Sequence, residues 1–536
     1  MQKVNKNFLY RCFFLSFSFG CGVCVMVIEL TAVRAVSPVL GSSVYTWTSV
    51  MGVVLLGLAG GNYIGGYFID KYKSRKTIAI FLLGASFFIG LIPFFIKGIS
   101  FFILNDFSLL SRILLVSFTL FLLPSFFLGC LYAPTLKLYS SATKSKCLGV
   151  QSGVISSLWS LGSIVGTFLT GFFLTGVIGT TNSFLIVSFI FLIFSSILFL
   201  GFSPKKIFYK DKKFLLAIIF IVVMLVVILL YEERDKKIIF SDESDYYKIS
   251  VVDKFLFGKE TRLLFLDIDS HGVEDKTGAD LDIYTSIYPV ISIFKKDVED
   301  IFIIGGGAYD IAKKFYNFYD GVNIIVSEID PEVTEVAEEF FNLNDYPIIT
   351  KVGDSRLILG GIDKKFDVVY GDAYNAFISI PWHLVTFQFN ELVKNHLKEG
   401  GIYILNFMSS LEGDNSEFFD SMFKTFKKTF DNLYVFAYGG DKTSPQNIIF
   451  VAVNSKESIS SEYLLTKLKE VKGGEKLLDK VVPTETLIIS PTATVLTDDF
   501  APVEKLMSSL INNYFNFYSK FFYSIFFNSL SAPSAK

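Results

Sequence analysis

The chain has 536 residues, enough for two or three domains, and at 51% hydrophobic residues with a mean hydropathy of +0.50 it is too apolar for an ordinary soluble protein. Its formal net charge of −2 argues against a nucleic-acid binder, which would carry a basic excess. The five cysteines all lie in the first 150 residues and the three histidines (His271, His383, His396) lie later, which excludes a disulfide framework further on and argues against a mixed His/Cys zinc site, so no metal is expected.

Seven apolar runs come first, at roughly 12–33, 45–68, 78–96, 113–133, 150–177, 182–202 and 214–231. Each approaches the ~20 residues that cross a bilayer as a helix. Cys21 and Cys24 form a C-x-x-C inside the first run, where small residues serve packing between helices. Glu29 sits in the same run, five residues before Arg34, either as a functional carboxylate or as an interfacial ion pair. GLAGGNYIGGYFIDKY closes the second run with small residues suited to close helix contact. Basic residues gather at Lys3, Lys6 and Arg11, in KYKSRK, at Lys137, Lys144 and Lys146, and in KKIFYKDKK. That bias puts the N-terminus in the cytoplasm, and seven crossings would then leave the C-terminal half outside.

After the charged linker EERDKK the pattern changes. Short alternating strands, YYKISVV and RLLFLDI, read as a small sheet or lid, followed by an amphipathic helical stretch around Asp282 to Phe294. Strands and helices then alternate: DIFIIGGG, AYDIAKKFYNF, NIIVSEID, PEVTEVAEEFFNL, YPIITKVGD, KFDVVYGD, HLVTFQFNELVKNHL and GIYILNF. Such alternation predicts a parallel sheet with helices on both faces. The expected organisation is a transmembrane helical bundle over 1–235, a small β-rich subdomain over 236–300 and a Rossmann-like α/β domain over 301–506. An aromatic tail over 507–536 is suited to a membrane interface.

Ligands of such sheets bind beyond the carboxyl ends of the strands, so the residues that end the strands carry the information. Gly305, Gly306 and Gly307 end the first strand and let the backbone approach a ligand; Asp310 stands where a dinucleotide fingerprint would need a further glycine, which favours a nucleoside over a pyrophosphate. Glu328 ends the second strand, about 20 residues on, where a carboxylate can accept from both ribose hydroxyls. Asp354 and Asp372 end the third and fourth.

These blocks together resemble the S-adenosylmethionine-dependent methyltransferase superfamily and, more narrowly, the spermidine synthase family of aminopropyltransferases. The resemblance covers roughly residues 238–505 and rests on SDYYKISVVD, RLLFLDIDSH, DIYTSIYPVI, IFIIGGG, SEIDPEVTEVAEEFF and VGDSRLIL. GDAYNAFISIPWHLVTFQF, LTDDFAPVEKL, ELTAVRAVSPVLGSSVYTWTSVMG and GGYFIDK are similar to its membrane-fused branch. The resemblance implies decarboxylated S-adenosylmethionine as co-substrate and a polyamine such as putrescine as acceptor. It implies that Glu328 holds the ribose, Asp354 lies by the adenine, Asp372 is the general base, and Tyr246 and Tyr284 line the amine side. Gly305, Gly307, Asp310 and His271 would complete the cofactor site. Three positions depart from the soluble members: Ala308 stands for an aspartate, His271 for a glutamine and Asn375, on the acceptor side, for a second aspartate. His383, just after Pro381, reads as a helix-start residue with a structural role.

The expected partners are a small amine and the lipid bilayer, with a second copy of the chain as an open option and no nucleic acid. The expected location is the plasma membrane, with multiple crossings; charge bias favours an outward catalytic domain and the cofactor an inward one. A methyltransferase using intact S-adenosylmethionine, and a transporter or sensor with a non-catalytic ligand-binding domain, are the competing readings.

Overall fold

The computed structural model describes residues 6–41, 43–102, 108–143, 147–200, 219, 238–256, 259–267, 269–276, 284–373 and 381–510. The expected apolar run 214–231 (save residue 219), Asn375 and the tail beyond residue 510 lie outside them. The chain divides into two compact units, Met1–Arg234 and Asp235–Lys536.

Among the described residues of the first unit, six helical segments are long and apolar enough to cross a membrane: Tyr10–Pro38, Val44–Tyr72, Arg75–Ile96, Leu110–Thr143, Leu148–Ile178 and Thr180–Phe199. They pair along their lengths, the first with the fifth, the second with the fourth and the third with the sixth. Glycine makes two of these contacts possible. A Cβ at Gly61 would lie 2.0 Å from the Phe126 carbonyl, and one at Gly162 would lie 2.0 Å from that of Phe19, so the backbones touch where a side chain would hold them apart. Cys21 and Cys24 are buried free thiols in the first of these helices, and Glu29 is partly buried there.

The second unit opens with an antiparallel sheet of β1 (Ile238–Glu243), β2 (Lys248–Leu256), β3 (Lys259–Leu266) and β4 (Asp269–Asp275), in that order. The helical stretch expected after it is a tight 3-10 turn over Tyr284–Val290, containing Pro289, and a short α-helix over Ile291–Phe294. The large sheet follows: β5 (Asp300–Ile304), β6 (Asn323–Glu328), β7 (Ile349–Val352), β8 (Phe366–Gly371), β9 (Leu397–Ser409), β10 (Asn432–Ala437), β11 (Gln446–Val453) and β12 (Val481–Val482). Its order is β12-β10-β11-β9-β8-β5-β6-β7.

Strands β5 to β9 pair in parallel, as the strand–helix alternation predicts, because each crossover carries a helix. Beyond β9 the sheet departs from that expectation: β10, β11 and β12 pair antiparallel. A short turn through Gly439 and Gly440 joins β10 to β11, and a connection with no crossover helix reverses the chain. The central strands β5 and β8 are buried along their whole length, consistent with their near-continuous apolar sequences. The order of β7, β6, β5, β8 and β9 reverses direction at β5, so the carboxyl ends of β5 and β8 flank the crevice where such sheets bind ligands.

Candidate active site

A cavity of about 310 Å³ opens at that edge. The turn after β5 forms its floor. Gly305 adopts φ +90 and Gly307 φ +51, a backbone that side chains rarely adopt, and a Cβ at Gly307 would lie 2.5 Å from the His271 carbonyl. Tyr309 is also left-handed (φ 58). Its ring is buried beneath the turn and its hydroxyl bonds Thr334 and Thr350 at 2.9 and 3.0 Å, contacts that offset the backbone cost.

Glu328 ends β6 beside the turn. Its Oε2 accepts from the Gly306 amide at 2.8 Å and its Oε1 from the Asp330 amide at 3.0 Å. Burial raises its pKa and these amides oppose the rise. Asp354 caps the helix Ser355–Gly360 through Oδ1, which accepts from the Arg356 and Leu357 amides. Its Oδ2 lies 2.8 Å from His383 Nε2.

Asp372 follows β8. Its Oδ1 accepts from Asn406 Nδ2 at 2.7 Å and its Oδ2 from the Tyr284 hydroxyl at 3.3 Å. Burial pushes its pKa up to about 6, against those two hydrogen bonds and with a further push from the charge of Asp310. Asp310 itself accepts from the Val273 amide at 3.1 Å, and burial raises its pKa despite Lys313 at 3.6 Å. His271 also lines the cavity, and burial pulls its pKa down to about 4, so its ring is neutral at physiological pH.

The structure therefore brings Tyr246, His271, Tyr284, Gly305, Gly307, Asp310, Glu328, Asp354 and Asp372 to one cavity. Asn375 lies outside the described residues. Ala308, one of the three departures from the soluble members, lies away from the cavity. It is buried in the packing between the glycine turn and the small sheet, and a Cβ at Gly272 would lie 2.1 Å from its own. It is not among the cavity-lining residues.

Sequence reasoning passed over Asp269, Asn406 and Asn447 and gave His383 a structural role alone. Asp269 and Asn406 line the cavity, but Asp269 opens β4 and Asn406 lies inside β9, so the strand-end rule points to neither. Asn447 lines it too and donates to Asn406 Oδ1 at 3.1 Å, which orients the amide that holds Asp372. His383 is a cavity residue paired with Asp354 as well as part of a 3-10 turn, Trp382–Leu384.

Among the described residues the cavity is lined by five carboxylates (Asp269, Asp310, Glu328, Asp354 and Asp372) and by no lysine or arginine. The turn and the strand order together define an α/β domain of the methyltransferase type. Residues 283–462 match the family model described as spermine/spermidine synthase domain. A protein of Bifidobacterium longum named "Probable polyamine aminopropyl transferase" is 28% identical over 217 residues, covering 38% of this chain and 48% of that protein. A polyamine aminopropyltransferase of Hydrogenobaculum is 29% identical over 175 residues, covering 31% of this chain and 59% of that protein. The chain thus spans about half the length of these curated relatives. A solved structure of a probable spermidine synthase from Corynebacterium glutamicum is similar over 49% of this chain and 98% of that one, at 19% identity and a TM-score of 0.40.

Proposed function

We propose that this chain is a membrane-bound aminopropyltransferase, which moves an aminopropyl group from decarboxylated S-adenosylmethionine to a polyamine such as putrescine. The observation that carries this reading is the charge of the cavity: five carboxylates face it and no lysine or arginine does, among the described residues. A sulfonium co-substrate and a protonated amine are both cations, and a carboxylate-lined cleft concentrates cations. The same lining offers no cationic side chain to the α-carboxylate of intact S-adenosylmethionine, which favours the decarboxylated form over a methyl donor.

In this scheme Glu328, beside the glycine turn, accepts from the ribose hydroxyls, and Asp354 faces the adenine. The acceptor amine attacks the propyl carbon next to sulfur. The new N–C bond forms as the C–S bond breaks, its electron pair stays on sulfur, and a neutral thioether nucleoside leaves. The proton shed by the amine passes to Asp372, whose pKa near 6 leaves it ionised at neutral pH yet more basic than an ordinary aspartate. Asn406 and Tyr284 fix the direction of its oxygens. Tyr246, half-exposed at the rim, supplies part of the amine side.

Calorimetry on the detergent-solubilised chain tests this reading. Decarboxylated S-adenosylmethionine should bind more tightly than the intact cofactor, and the opposite preference would convert the proposal to a methyltransferase. The co-substrate is a cytoplasmic metabolite, so we place the catalytic unit in the cytoplasm. That requires an even number of crossings, so with a cytoplasmic N-terminus the six described helices and the run 214–231 would not all cross the bilayer. A cysteine introduced on the globular unit should react with an impermeant reagent only after cells are opened.

A further inference from the structure

The transfer scheme leaves one wall of the cavity without a role. The segment from Leu496 to Leu510 reaches the cavity through Met507. It begins with a tight turn in which Thr497 and Phe500 exchange backbone hydrogen bonds at 3.0 Å. Asp498 sits at the corner of that turn and receives Arg356 in fork geometry, with Nη1 2.8 Å from Oδ1 and Nη2 2.6 Å from Oδ2. Thr386 Oγ1 donates to Asp498 Oδ1 at 2.7 Å, and the Asp498 amide donates to Gln388 Oε1 at 3.1 Å. The Phe387 amide donates to the Leu496 carbonyl at 2.8 Å.

Arg356 also donates through Nη1 to the His383 carbonyl at 3.0 Å. The ring of the same histidine meets Asp354 Oδ2 at 2.8 Å. Asp354 and Arg356 leave the same turn of chain and hold His383 at two points, by ring and by carbonyl. Asp354 cannot swing away, because its other oxygen caps the helix Ser355–Gly360. The result is a closed network in which the C-terminal segment, through Asp498 and Arg356, fixes His383 against Asp354.

An isolated exposed ion pair of this kind contributes little. A bidentate pair that also carries a hydroxyl, an amide and a carbonyl holds one geometry. Asp354 and His383 line the cavity, whereas Arg356 and Asp498 stand behind them.

We infer that Arg356 and Asp498 are positioning residues: they hold His383 at the nucleobase wall beside Asp354, which faces the adenine in the transfer scheme. This rests on the adenosyl reading of the site. The fixed Asp354 oxygen accepts from an exocyclic amine, so adenine is bound in preference to hypoxanthine, which presents a carbonyl oxygen there.

The test uses the full chain in detergent, with 5′-methylthioadenosine and its hypoxanthine counterpart as probes. The wild-type chain should prefer the adenine probe. Arg356→Lys keeps the charge and loses the fork. It should weaken the adenine probe by about 10-fold and narrow its preference over hypoxanthine, since the interaction is with a charged group. The KM for the nucleoside co-substrate should rise while the KM for the amine stays put. His383→Gln carries the same test where Arg356→Lys does not fold. Wild-type affinity and base preference in a folded Arg356→Lys or His383→Gln chain, with only a lower Tm, would overturn the inference and leave a structural ion pair. A wild-type chain that binds neither probe would instead sink the adenosyl reading, and the positioning role with it.

Discussion

The two edges of the large sheet treat the same residue type in opposite ways. At the amino edge Glu299, Asp300 and Asp367 bring carboxylate oxygens within 4.8 Å of one another, close enough to hold a metal ion. Lysines already neutralise them. Lys398 Nζ lies 2.8 Å from Asp367 and 3.1 Å from Asp300, Lys295 lies 2.9 Å from Asp367, and Lys364 lies 2.6 Å from Asp300. Burial opposes ionisation of Asp367, but Lys398, Lys295 and two backbone amides outweigh it and hold its pKa at about 2. At the carboxyl edge Asp310 has Lys313 at 3.6 Å, whereas Asp372 is held by Asn406 and Tyr284, and burial lifts its pKa to about 6. A cluster of acids alone therefore does not mark a site. What separates the two edges is burial without a close cation: Asp372 meets an amide and a phenol, and its pKa rises instead of falling.

The sharpest way to break this contrast is to neutralise one acid at each edge. Asp372→Asn should lower kcat by about 10²–10⁴-fold, the usual contribution of a positioned base, with nucleoside affinity intact by calorimetry. Asp367→Asn should do the reverse. It leaves two lysines short of a buried partner and should cost about 3 kcal/mol in denaturant unfolding, while turnover persists. Equal losses of activity in the two variants would erase the distinction between the edges. Glu328→Gln should come next, with the affinity for the nucleoside co-substrate reduced about 10-fold, because a carboxylate accepting from two hydroxyls is replaced by a neutral amide.

The pH dependence separates the edges without mutation. Asp372 works ionised, so kcat/KM should fall as pH drops through about 6. The folded pKa of Asp367 lies below its ordinary 3.8, so its stabilisation is complete above that value and is lost only as pH falls toward about 2. Activity should thus disappear in acid well before this part of the fold loosens, as circular dichroism can follow. The smallest expected effect is that of Tyr284→Phe. The phenol favours the ionised form of Asp372, so its removal should move the acidic limb to higher pH by less than about one unit. A shift to lower pH would mean that Tyr284 does not serve the carboxylate.

Much of the site was legible because strand ends are legible. Glu328, Asp354 and Asp372 each follow a short apolar run, and the glycine turn announces the first crossover. Asn406 escaped for a physical reason: β9 continues to Ser409 past the cavity, so nothing in the sequence marks Asn406 as an end. Ala308 misled in the other direction. Its place after three glycines suggests the reaction path, but its side chain faces Gly272. The pairing of His383 with Asp354 spans 29 residues, and that of Arg356 with Asp498 spans 142. No local pattern reports such distances.

The sequence by itself determined the division into an apolar half and an α/β half, the alternation of strands and helices, and the carboxylates that end the parallel strands. Hydropathy and periodicity are properties of neighbours in the chain, so they survive without a fold. Only the tertiary structure decided the antiparallel turn of β10 to β12, the inward or outward facing of Ala308 and Asp310, and which acids meet lysine. It also decided the displaced pKa of Asp372 and the grip of the C-terminal segment on His383. Those properties depend on burial and on partners brought together from Tyr246 to Met507, and no neighbour in sequence supplies either.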